Sequence, residues 1–188
     1  VRYLLILTLL LIGNGNLLAK SDNLILDQAG FSGTYVLAGT PLERKNQALL
    51  TYLWADVYSA AFYTEASINP SQAVSQPVAQ RLELYYYREI AKEDVLKAAW
   101  VTLERQHSAA QLEKLKPEVD ALHATFRDIR PGDRYALNYS AQQGLTLERN
   151  GSEVFRSSNS ELARAYLGIW LAPEGLSDKL REELLSEK

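Results

Sequence analysis

No cysteine occurs among the 188 residues, which excludes disulfides, thiolate nucleophiles, thiol-linked lipid anchors and cysteine-type zinc sites. Methionine is missing too. Only two histidines are present, His107 and His123, so a three-histidine metal centre is ruled out. Basic charge is not in excess: 20 Lys and Arg stand against 23 Asp and Glu, a net charge of −3. Affinity for a phosphate backbone needs a clustered surplus of cations, so nucleic acid is not an expected partner. The mature chain contains no G-x-x-x-x-G-K or G-x-G-x-x-G loop to cradle phosphates, and no G-x-S-x-G turn to present a nucleophilic serine. No cofactor is expected.

Long apolar runs are scarce. The ten residues Tyr3 to Ile12 are apolar except for Thr8, follow Arg2 and precede the polar turn Gly13-Asn14-Gly15-Asn16. That run is well short of the roughly 20 apolar residues that span a bilayer, and its charge, apolar, polar order is that of a signal peptide. Residues 1–19 are therefore read as a signal peptide ending at Ala19, and residues 20–188 as the exported domain. This implies a periplasmic or secreted location and no stable membrane anchor after cleavage.

Residues 20–188 contain no low-complexity linker, repeat or charge block, and so read as one domain. The β-prone pieces Leu24-Ile25-Leu26 and Tyr35-Val36-Leu37 lead to a polar corner, Gly39-Thr40-Pro41. Leu49 to Tyr63 reads as one long central strand with Trp54, Asp56, Tyr58, Ala60 and Phe62 on one face. Leu82 to Arg88 reads as another. Val95, Leu96, Ala99, Trp100 and Leu103 recur at helical spacing and predict a helix from about Lys92 to Gln106. Ser108 with Gln111 forms a capping box for a second helix, and Pro117 suits the first turn of a third that ends before Pro131-Gly132-Asp133. Asn150-Gly151 marks a hairpin, and Asn159 or Ser160 caps a last helical region ended by Pro173, with a short helix from Ser177. Antiparallel hairpins with segregated helices imply an α+β domain.

Both histidines fall in predicted helices, His107 at an exposed end and His123 as a partly buried, hydrogen-bonded residue. Asp56, in an apolar strand, must be paired, protonated or at the strand's exposed end. The residues that suggest a site are Arg44 and, fourteen positions on, Tyr58, with Tyr52, Trp54 and Phe62 on the same strand face. A guanidinium with a phenol receives a carboxylate through charge-assisted hydrogen bonds, and an aromatic wall buries an apolar tail. The alternative is that Arg44, between Glu43 and Lys45, is a solvated charge and the aromatics are core.

Several segments carry a family resemblance: Gly39-Thr40-Pro41-Leu42-Glu43-Arg44, the strand Val57 to Tyr63, Ile129-Arg130-Pro131-Gly132-Asp133, Asn150-Gly151, and Leu167-Gly168-Ile169-Trp170-Leu171. In these the chain resembles the bacterial, exported branch of the chalcone isomerase-like family. The resemblance implies a curved antiparallel β-sheet, a layer of α-helices packed on it and a ligand cleft between the layers. Plant members that close chalcones to flavanones use an arginine, a threonine, a tyrosine and an asparagine there. Arg44 falls at the arginine and Tyr58 at the threonine, with Ala91 and Ala98 at the other two. Arginine with tyrosine is similar to the family's non-catalytic fatty-acid-binding members.

Three functions remain open from sequence. The first is a non-catalytic exported domain that binds a fatty acid or similar amphipathic carboxylate, with ligand-binding residues Arg44, Tyr58, Trp54 and Phe62 and with Arg88 as a substitute anion anchor. The second is an isomerase or intramolecular lyase acting on an α,β-unsaturated ketone. The third is a cell-envelope interaction module whose cleft is filled by Trp54 and Trp170.

Overall fold

Among the described residues seven strands lie side by side in chain order as one antiparallel sheet: β1 (Thr34–Leu37), β2 (Thr40–Tyr52), β3 (Ala55–Thr64), β4 (Gln80–Tyr86), β5 (Arg134–Ser140), β6 (Gly144–Arg149) and β7 (Ser152–Ser157). The computed structural model describes residues 24–187, so the signal peptide read at residues 1–19 lies outside the described residues. The helices are α1 (residues 24–29), α2 (Pro70–Ser75), α3 (Lys92–Gln106), α4 (Ala109–His123), α5 (Ser160–Leu171) and α6 (Asp178–Leu185). The sheet is curved, and helices pack on it, as an α+β domain requires. Among the described residues no helix is long and apolar enough to cross a membrane.

Alternation along the strands sorts side chains between two cores. Tyr58, Ala60 and Phe62 of β3 join Leu82, Leu84 and Tyr86 of β4 in the main core beneath α3, α4 and α5. Ala61 and Tyr63 point to the other face, where Phe31, Leu37 and Leu42 cover them in a second, smaller core. Hydrogen bonds tie the segment before β1 to that outer face: Tyr87 donates to the Ile25 carbonyl at 2.6 Å, Tyr63 to the Ser32 carbonyl at 3.0 Å, and Arg134 to the Ala29 carbonyl.

The local signals set most boundaries. Helix α3 spans the residues its apolar stripe predicts. The Ser108–Gln111 capping box opens α4, and Asn159 caps α5 by accepting from the backbone of Glu161 and Leu162. Four expectations are corrected. Residues 24–26 are helical, not strand. Helix α4 runs through Pro117, because Leu112, Leu115, Val119 and Leu122 bury one continuous stripe across it. That burial outweighs the one backbone bond proline removes. Residues 49–63 are not one strand but the two arms of the β2–β3 hairpin, turning at Leu53 and Trp54. Finally, His123 is buried, but its Nε2 has no hydrogen-bond partner among the described residues.

His123 packs edge-on against Trp100, Phe126 and Tyr166. Burial pushes its pKa down to about 4; Asp120 opposes the shift and Lys116 adds to it. The neutral form is therefore favoured in the folded state. Its stability is intact above pH ~6.5, the unfolded value, and falls as the unfolded chain binds a proton that the folded one refuses, down to about pH 4. Over that window the loss is on the order of 3 kcal/mol at about 1.4 kcal/mol per unit. Urea unfolding of His123→Gln between those pH values should show a flatter acid limb than the parent chain.

Candidate functional site

Between the sheet and the helices is a cavity of about 370 Å³, within the roughly 300–1,000 Å³ range of small-molecule sites. Its sheet wall consists of Leu82 and Leu84 of β4, Leu137 of β5 and Leu147 of β6. Val95, Ala98 and Ala99 of α3 and Ile169 and Trp170 of α5 close the helical side. Tyr52, Val57, Ile90 and Asp94 are its more exposed lining residues, and they form a mouth beside the β2–β3 turn and the first turns of α3.

Four phenols supply nearly all the polarity inside: Tyr58, Tyr86, Tyr135 and Tyr166. The Tyr58 and Tyr86 rings lie 5.3 Å apart, and Tyr135 meets Tyr86 edge-on at 6.1 Å. The Trp170 indole Nε1–H donates to the Tyr58 hydroxyl at 3.0 Å, which leaves the phenol's own proton to be donated elsewhere. Burial raises the pKa of Tyr58, opposed by the Trp170 bond, and burial likewise raises those of Tyr86 and Tyr166. Phenols so shifted stay protonated around neutral pH; they donate hydrogen bonds and do not act as bases.

Among the described residues, no lysine, arginine or histidine lines the cavity, and Asp94 at the mouth is its one carboxylate. An ionised head drawn deep inside would meet no counter-charge, which is costly in a low-dielectric site. No group of three His, Asp or Glu capable of holding a metal occurs among the described residues.

The expected pairing of Arg44 with Tyr58 is not formed. Between Arg44 and Asn46 the β2–β3 ladder shifts register, so that Arg44 pairs with Tyr63 whereas Asn46 pairs with Phe62, Ala48 with Ala60 and Leu50 with Tyr58. One extra residue reverses the parity of everything before it. Asn46, Ala48 and Leu50 thus face the helices, and Arg44 faces away, where its Nη1 donates to the Phe31 carbonyl at 2.6 Å. It fastens the N-terminal segment to the outer face. Trp54 is also displaced: it lies at the tip of the hairpin, fully exposed. Phe62 is fully buried in the main core but does not line the cavity.

Arg88 is exposed and donates from Nε to the Asp56 carbonyl at 3.0 Å, outside the cavity lining. Asp56 itself sits at the start of β3 and accepts from Thr51 at 3.0 Å, the paired strand-end arrangement. Trp170 forms one wall of the cavity without filling it, so the cleft is not occluded as the interaction-module reading required. Ala91 is the exposed N-cap of α3, whereas Ala98 presents its methyl to the cavity. Of the residues singled out from sequence as ligand-binding, the structure brings Tyr58 alone into the cavity wall. The sequence places Trp170 in the cleft only as a side chain that fills it, and nothing in the spacing shows that Tyr86, within the strand Leu82 to Arg88, and Tyr166 converge on it.

The family model described as chalcone isomerase-like matches residues 26–186. Among solved structures, an Arabidopsis thaliana fatty-acid binding protein has the same fold, with a TM-score of 0.56 at 14% identity. The alignment covers 81% of this chain and 95% of that one. No curated protein matches the sequence.

Proposed function

We propose a non-catalytic lipid-binding role for this chain, which belongs to the chalcone isomerase-like family, with the hydrocarbon part of an amphipathic ligand such as a fatty acid held in the cavity between sheet and helices. The observation that carries the reading is the lining: aliphatic walls, a cluster of neutral phenols and no cation. The fatty-acid binding protein of the same fold supports it. Ala98 adds to the case against cyclisation chemistry, since a methyl lines the cavity where the resemblance would put an asparagine side chain.

Because Arg44 lies on the opposite face, the head that fits beside Tyr58 is uncharged: a protonated carboxyl or the carbonyl of an ester or ketone. An exported location, read from residues 1–19, belongs to the same proposal.

Titration with lauric acid and with methyl laurate, followed by the change in tryptophan emission as Trp170 in the cavity wall meets the ligand, tests this reading. Methyl laurate is expected to bind independently of pH, whereas lauric acid is expected to weaken as pH rises through its carboxyl pKa, roughly 4 to 5. Tyr58→Phe should weaken the ester by about 1 kcal/mol, roughly fivefold, by removing one hydrogen bond. If neither ligand binds, the lipid reading fails; if the acid binds better as it ionises, the uncharged head fails.

A further inference from the structure

Two hairpins of this sheet turn in the same way with opposite residue chemistry. Between β6 and β7 the two central residues are Asn150 and Gly151, with φ of 51° and 79°. Asn-Gly is the pair this left-handed turn favours. Between β2 and β3 the central residues are Leu53 and Trp54, with φ of 46° and 66°. Left-handed backbone is unfavourable for residues with a Cβ, and here no burial compensates. Tyr52, Leu53 and Trp54 are 67%, 75% and 100% exposed. They make an apolar tip that the fold itself does not use.

Tyr52 belongs to both features, since it stands in the tip and also lines the cavity mouth. We propose that the Tyr52–Trp54 tip inserts into the interfacial layer of a lipid bilayer, so that the cavity mouth opens onto the membrane from which its ligand is drawn. This rests on the lipid-binding reading of the cavity. Tyrosine and tryptophan are suited to that layer because their rings are apolar and their polar tips stay hydrated. Three residues offer far less than the roughly 800 Å² each partner contributes to a stable protein interface. The charges beside the tip are mixed: Arg88 bonds to the Asp56 carbonyl, and Asp94 stands at the mouth. The surface addressed is therefore zwitterionic, not anionic.

The test compares the full chain with the double variant L53N/W54G, which restores the favoured turn pair. In co-sedimentation with phosphatidylcholine vesicles, the parent chain should partition at least tenfold more strongly than the variant, with little change between low and high salt. The variant should melt at an equal or higher temperature, so unfolding does not account for the loss. Both chains should bind monomeric methyl decanoate alike. Equal partition of the two chains, or none by the parent, would overturn the docking proposal; the former would place the contact elsewhere, residues 3–12 included. Normal partition by the parent with no binding of methyl decanoate by either chain would instead remove the cavity reading and leave the docking intact.

Discussion

Ala98→Trp is expected to abolish lipid binding while leaving the chain folded. Ala98 sits on the α3 side of the cavity, half-exposed near the mouth. An indole there has the cavity's own space to occupy, so the overpacking that penalises larger side chains in a dense core is avoided. The ligand loses that space. Each buried methylene contributes about 0.8 kcal/mol, so displacing about four of them costs ~3 kcal/mol, more than roughly a hundredfold in Kd. Calorimetric titration with methyl laurate measures the affinity, and the thermal midpoint monitors the fold. Retained affinity in Ala98→Trp would show that the ligand lies elsewhere.

Arg81→Met should destabilise the protein by about 3–5 kcal/mol, the range for breaking a buried ion pair from one side. Arg81 is 6% exposed on the outer face of the sheet. Its Nη1 reaches Glu148 at 2.9 Å and Asn138 at 2.8 Å, and its guanidinium contacts Glu83 at 3.3 Å. The Tyr35 ring stacks on it at 4.0 Å, and the Tyr35 hydroxyl donates to Glu148 at 3.0 Å. Methionine fills a similar volume but leaves Glu148 without its cation, while Glu83 keeps Arg134 at 2.8 Å. Urea unfolding gives the size of the effect. The network lies across the sheet from the cavity, so ligand affinity in the folded variant should not change. A coupled loss of affinity would mean that the two faces are not independent.

The sequence made the fold class readable because its strongest signals are local. The stripe Val95, Leu96, Ala99, Trp100 and Leu103, the Ser108–Gln111 box and the Asn150-Gly151 pair each specify an element without help from distant contacts. The site was less accessible, for two physical reasons. A turn built on Leu53-Trp54 carries none of the glycine or asparagine by which turns announce themselves, so two strands read as one and Trp54 was assigned to a strand face. A single bulge beside Arg44 then inverted the parity on which its pairing with Tyr58 depended. Tyr58 was read to the correct face because the alternation is regular from Tyr58 through Ala60 to Phe62. Its neighbours in the cavity, Tyr86, Tyr166 and Trp170, come from β4 and α5, and only the packed sheet and helices bring them together.

The claim on which the rest depends is that the cavity holds a lipid. Native mass spectrometry of the full chain, purified without detergent and compared with Ala98→Trp, tests it most directly. The parent chain is expected to carry a small-molecule adduct, or to gain one on addition of lauric acid or methyl laurate, and Ala98→Trp to carry none. A parent chain that stays empty with both lipids, or a variant that binds them equally, would contradict the account.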